Sequence, residues 1–159
     1  MTKKEVSINT TWDEFEMGTC RVFLEVLQKY IPIIFFQEHR PKPSISSKML
    51  QALNDILDIE KEEFDRLESI LGTEVYAQSK IKEIHIDQDN DKYHAVYAEL
   101  ILNVSSKSLI TVIIEDKKFI CLNDGTYFDA LEVSEEEKEE APKMSKENRE
   151  KLVAMMLSS

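Results

Sequence analysis

The sequence predicts an α+β fold: an N-terminal three-helix segment, then an antiparallel β-meander of about four strands, then a short C-terminal helix. Three observations predict it. Apolar residues recur at three-to-four spacing before residue 72. From residue 80 the texture turns to β-branched and aromatic runs broken by Asp, Asn and Gly. A last short apolar pattern follows a run of glutamates near the end of the chain.

The elements follow in order. Thr11-Trp12-Asp13-Glu14 has capping-box spacing, a hydroxyl followed three residues later by a carboxylate. Behind it Trp12, Phe15, Thr19, Val22, Phe23, Val26, Leu27 and Tyr30 recur as one broad apolar face, the first predicted helix. Pro32 is its expected stop, because proline cannot donate the next backbone bond. The four large apolar residues Ile33 to Phe36 suit a strand buried on both sides, or an apolar segment offered to a partner. "HRPKP" should be extended, since a residue before proline is pushed out of the helical region. Ser46 or Ser47 caps a second helix with Met49, Leu50, Leu53, Ile56 and Leu57 on one face. Asp58 is expected to cap a third, with Phe64, Leu67, Ile70 and Leu71 inward and Gly72 closing it.

"IKEIHID" and "YHAVYAELILNV" flank the acidic-amide loop "QDNDK" as a predicted hairpin. "LITVIIE", a turn around "DK" and "KFICL" continue the meander, "NDG" marks another turn, and "TYFDAL" is a candidate further strand. One conflict stands in the second strand. Tyr93, Ala95 and Tyr97 occupy one parity, whereas Leu100, Leu102 and Val104 are apolar on the other. Either a bulge near Ala98–Glu99 shifts the register, or helices cover part of both faces.

Residues 1–131 read as a single domain, 132–144 as an acidic connector and 145–159 as a helix that docks on the domain or on a partner. The connector holds six glutamates in the nine positions from Glu132 to Glu140, a density that resists compaction. Ser145 is a candidate cap, and Leu152, Val153, Met155 and Met156 form the apolar patch that must dock.

The formal charge is −11, divided as −4 over residues 1–72, −4 over 73–131 and −3 over 132–159. A body negative throughout repels phosphate backbones and anionic membranes and attracts basic surfaces. A helix-turn-helix reading of the second and third helices fails on the same ground. Glu60, Glu62, Glu63, Asp65 and Glu68 outnumber Lys61 and Arg66, so the helix would meet DNA with the wrong sign. The opening residues lack the apolar core of a secretory signal, and the longest apolar run, Tyr30 to Phe36, is too short to span a bilayer. Cys20 and Cys121 stand apart without metal or redox spacing and read as reduced, buried thiols. The expected location is the cytoplasm.

The most chemical stretch is "EIHIDQDNDKYH". A hairpin pairing Ile86 with Tyr93 sets His85 opposite His94 and Asp87 opposite Lys92. Two imidazoles and a carboxylate there suit zinc or iron; the plain reading is a solvated β face. Glu38, His39 and Arg40 sit in the proline-rich loop, where an exposed polar tip explains them as well as chemistry does. Neither cysteine has a histidine close in sequence to activate it. Asp124 and Asp129 flank a glycine turn but lack the alternating ligands of a calcium loop, and Gly18, Gly72 and Gly125 are too scattered for a phosphate loop.

The leading expectation is a non-enzymatic, acidic protein-binding protein that uses no cofactor. By analogy of charge it would be an immunity or inhibitor protein that neutralises a basic toxin or nuclease. Glu62, Glu63, Asp65, Glu135, Glu136, Glu137, Phe35 and Phe36 are the expected contact residues for a basic protein partner, with no direct nucleic acid and no membrane. Two alternatives are a metal-dependent enzyme on the His85/Asp87/His94 face, and a dimeric structural or adaptor module that exchanges its C-terminal helix.

Overall fold

The computed structural model describes residues 1–15, 17–36, 45–87, 96–105 and 108–124. The predicted acidic connector and C-terminal helix lie outside them, as do Glu38, His39, Arg40, His94 and Asp129. Among the described residues four helices and seven strands are present: α1 (Lys3–Asn9), β1 (Thr11–Trp12), β2 (Met17–Leu24), β3 (Lys29–Phe36), α2 (Ser47–Leu57), α3 (Lys61–Leu71), α4 (Thr73–Gln78), β4 (Lys80–Asp87), β5 (Tyr97–Ser105), β6 (Ser108–Glu115) and β7 (Lys118–Asp124). The strands form one sheet in sequence order. Every neighbouring pair is antiparallel except β3 and β4, which run parallel. A parallel pair needs a long crossover, and the chain between these two carries α2, α3 and α4.

This arrangement overturns the predicted three-helix start and four-strand meander. The α+β character and the mostly antiparallel sheet stand; the order of elements does not. The stretch expected to be the first helix is β1, β2 and β3. In β2, Gly18, Cys20, Val22 and Leu24 are inward while Thr19, Arg21 and Phe23 face out; in β3, Ile31, Ile33 and Phe35 are inward. That is strict period-two burial. The helical spacing emerges only when Phe15, Phe23 and Tyr30 are counted as core, and they are 69 %, 39 % and 61 % exposed. Pro32 stops no helix. It sits inside β3, and pairing to β4 begins one residue later, at Ile33, so its missing amide proton is tolerated.

The true N-terminal capping box is Thr2-Lys3-Lys4-Glu5. The Thr2 hydroxyl accepts from the Glu5 amide at 3.2 Å, and the Glu5 carboxylate accepts from the Thr2 amide at 2.6 Å. It starts α1, whose Val6 is fully buried. Ser46 caps α2 through the Met49 amide, as expected. Asp58 caps nothing as an N-cap: it closes α2, and α3 starts behind Glu60 without a side-chain cap. Gly72 takes φ +88°, a value that favours glycine, and its amide donates to the Glu68 carbonyl to end α3. Between β6 and β7, Asp116 and Lys117 both adopt positive φ, the geometry of a type I′ hairpin turn built here without glycine.

The helices lie on one face of the sheet. Met49, Ala52, Leu53 and Ile56 of α2 and Phe64 and Leu67 of α3 join Ile33, Phe35, Ile84, Ile86, Ala98, Leu100, Leu102, Val112 and Ile114 in a single apolar core. Val6 and Trp12 extend it over β2. Gly18 makes room there, since a Cβ at this position would lie 2.7 Å from the Thr10 methyl and 2.8 Å from the Trp12 ring.

The predicted hairpin register is also corrected. His85 pairs with Glu99, and Ile84 with Leu100. With this pairing Ala98, Leu100 and Leu102 take the core parity, and the register shifts lie between Ile81 and Glu83 and between Asn103 and Ser105, not near Ala98–Glu99. Neither expected explanation holds among the described residues, since no bulge falls at Ala98–Glu99 and the described helices pack on one face. β5 is buried on both faces, for Tyr97, Glu99 and Ile101 on the other parity are also buried.

Candidate functional site

Among the described residues, exposed carboxylates gather where the end of α2, the first turns of α3 and the β6–β7 turn meet. The turn between helices exposes Asp58 and Glu60, and α3 exposes Glu62 and Asp65. The hairpin brings Asp116 and Lys117 from far along the chain, and the Lys117 ammonium lies 3.7 Å from the Asp58 carboxylate. Asp55 stands behind them. Burial first, and then the negative charge of Asp116 and Asp58 against the attraction of Lys117, raises its carboxyl above the ordinary aspartate value.

The basic residues of α3 neutralise little of it. Lys61 reaches Asp65 at 3.5 Å, but both side chains are mostly solvated, so the pair contributes no more than about 0.5 kcal/mol. Arg66, though half exposed, is engaged within the fold's own contacts: it donates to Glu63 at 2.8 Å and to the Phe119 carbonyl. Glu63 also accepts the Phe119 amide at 3.0 Å. Arg66 and Glu63 therefore clamp α3 to the start of β7, where Phe64 meets Phe119 edge-to-face with ring centroids 5.0 Å apart. Glu63, an expected contact residue, is engaged inside the fold, whereas Glu62 and Asp65 face solvent.

The other expected contact residues divide sharply. Phe35 is fully buried beneath the helices and presents no surface. Phe36, on the opposite parity, packs edge-on against His85 with centroids 4.8 Å apart. Glu135, Glu136 and Glu137 lie outside the described residues.

A second group occupies the face of β4, β5 and β6 that is helix-free among the described residues. His85 is 4 % exposed, Glu99 6 % and Thr111 1 %. The His85 Nε2 and the Glu83 carboxylate are 2.8 Å apart. Burial lowers the imidazole's pKa more than Glu83 raises it, so His85 is held neutral. Burial, reinforced by the Asp87 carboxylate, pushes Glu99 up to about 8, so at neutral pH it is mostly the uncharged acid. The Thr111 hydroxyl meets no hydrogen-bond partner among the described residues. The sequence reading missed Glu83, Glu99 and Thr111; the parity clash in β5 was the available signal.

His94, the third residue of the expected metal set, lies outside the described residues. His85 and Asp87 share the helix-free face, but the cross-strand neighbour of His85 is Glu99 and not His94. Among the described residues no three His, Cys, Asp or Glu side chains are placed to hold a metal ion. Cys20 is a free, buried thiol, and burial raises its pKa, the opposite of an activated nucleophile. The Cys121 side chain is outside those described. A cavity of about 220 Å³ opens between α3, α4 and the sheet, walled by Leu27, Phe64, Leu67, Tyr76 and Ile81, with Lys29 as the charge among its lining residues. No described helix is long and apolar enough to cross a membrane.

Set against known protein families, curated proteins and solved structures, the chain matches none.

Proposed function

We propose that this chain is a non-enzymatic, acidic protein-binding protein that presents carboxylates to a basic protein partner, in the manner of an immunity or inhibitor protein. The observation that carries the reading is the acidic corner, where Asp58, Glu60, Glu62 and Asp65 face solvent while Arg66, itself half exposed, is paired with Glu63 and the Phe119 carbonyl. Complementary charge of this kind speeds encounter and selects against anionic partners. It calls for no bond-making group at the surface, and Glu99 and His85 are buried away from it. The partner class that fits is a protein with a cationic groove, such as a toxin or nuclease.

The test is retention of a partner from native extract on immobilised chain, with the retained protein identified by mass. A basic protein should bind at low salt and elute as salt rises, and Glu62→Lys with Asp65→Lys should lose it while melting like wild type. Retention indifferent both to salt and to charge reversal would refute the reading.

A further inference from the structure

We propose that the outer edge of β2, at Arg21 to Phe23, is a self-association site that pairs antiparallel with β2 of a second copy about a two-fold axis through Val22. The backbone is arranged for it. The Asp13 amide donates to the Met17 carbonyl, and Thr11 pairs with Thr19. The odd-numbered residues of β2 therefore turn their N–H and C=O groups away from β3. β1 is only two residues long and covers Gly18 and Thr19 alone. The outward groups of Arg21 and Phe23 have no backbone partner among the described residues.

Edges of this kind are usually blunted by lysine, proline or a bulge. Here the sequence Cys20-Arg21-Val22-Phe23-Leu24 has one charge and no proline, and its pairing to β3 is regular from end to end. Beside it, on the helix-free face, lies an exposed aromatic patch. Phe23 and Tyr30 are in ring contact at 5.1 Å, and the Arg21 guanidinium stands 6.0 Å above the Tyr30 ring.

Self-complementarity decides the occupant. An axis through Val22 sets Arg21 of each copy opposite Phe23 of the other, so both arginines meet an aromatic ring and neither meets its like. Each such pair exchanges two backbone hydrogen bonds, and the contact is isologous, the form from which closed dimers are built. Charge points the same way. The strands β2 and β3 carry Arg21 and Lys29 and no acidic residue, in a chain of net charge −11. A cationic partner finds no counter-charge within these strands, and the axis sets each Arg21 opposite Phe23 of the other copy, not opposite the other Arg21. This surface is separate from the acidic corner, so the inference does not depend on the proposed function.

The test is the solution mass of the full-length chain by sedimentation, from about 1 μM to about 1 mM. Wild type should move from 18.5 kDa to twice that mass as concentration rises. Phe23→Lys sets two cations across the axis and should remain monomeric throughout. Phe23→Glu sets a carboxylate opposite Arg21 of the other copy and should restore a dimer that salt weakens. Circular dichroism checks that both variants are folded. A wild-type chain that stays monomeric overturns the proposal; so does a dimer that survives Phe23→Lys, or a Phe23→Glu chain no more dimeric than Phe23→Lys.

Discussion

The two faces of the sheet bury residues on different terms. Under the helices, burial and apolarity coincide: Phe35, Ile33, Ile84, Leu100 and Val112 form one continuous core without a buried charge. On the helix-free face they part company. At β2 and β3 the aromatics Phe23 and Tyr30 are exposed beside Arg21, whereas at β4 to β6 the polar groups His85, Glu99 and Thr111 are buried with Ile101 and Ile113. The lesson is that one face supplies stability largely independent of pH, while the other couples stability to protons. A buried carboxyl that must stay neutral and a buried imidazole that must stay neutral are both linked to folding.

The largest contrast should come from truncating one aromatic on each face. Phe35→Ala opens a cavity in the close-packed core and should cost about 3–5 kcal/mol, whereas the half-exposed Phe23→Ala should cost under about 1 kcal/mol in monomeric chain. Urea unfolding at low concentration measures both. Similar losses would mean that the faces are equally packed.

Next comes the proton linkage. Glu99 has its pKa raised in the folded state from 4.5 to about 8. Its contribution is therefore complete below the unfolded value and is lost as pH rises toward about 8. His85 is shifted the other way: its folded pKa lies below the ordinary 6.5, so its contribution is present above that value and lost as pH falls. The slopes oppose each other in mild acid and leave Glu99 alone between about pH 6.5 and 8. Replacing the carboxyl by an amide of the same shape, Glu99→Gln, should remove that slope and stabilise the chain at pH 8 by a few kcal/mol, on the order of magnitude such a shift implies. Parallel stability–pH curves for variant and wild type would show that Glu99 is not buried as a neutral acid.

Gly18 sharpens the comparison at the margin of the core. Gly18→Ala forces a methyl group against Thr10 and Trp12 and should cost about 1–3 kcal/mol, read as a lower melting temperature. A neutral substitution would mean that the Trp12 ring swings aside freely.

The smallest effect should have the opposite sign. Thr111→Val keeps the shape of the side chain and removes a buried hydroxyl that meets no partner, so it should stabilise by about 1 kcal/mol. A destabilised variant would reveal a hydrogen bond that the hydroxyl makes in solution.

Parts of this molecule were legible in the chain alone. α2 and α3 are bounded by local chemistry, the Ser46 cap and the Gly72 stop, and carry apolar stripes that no other element disturbs. The acidity of α3 is likewise a matter of composition. The first helix was misread because Phe15, Phe23 and Tyr30 are apolar but not buried, and a periodicity count cannot tell an exposed aromatic from a core one. At α1 the capping box was in plain view at Thr2 and Glu5, yet a better-looking pattern at Thr11 drew attention from it.

What the sequence by itself determined is local: caps, turns, the β-rich texture of β4 to β7 and the sign of the surface charge, each fixed by residues within a few positions of one another. The parallel pairing of β3 with β4, the meeting of Asp58 with Lys117, the clamp of Arg66 and Glu63 on Phe119 and the placing of Glu99 beside His85 were decided only by tertiary structure. Those contacts join residues far apart in the chain, and which of them form depends on strand register and on the side of the sheet each helix covers. A shift of one residue in register would exchange the two faces of a strand, so no local pattern could have specified which carboxylates end exposed and which end buried.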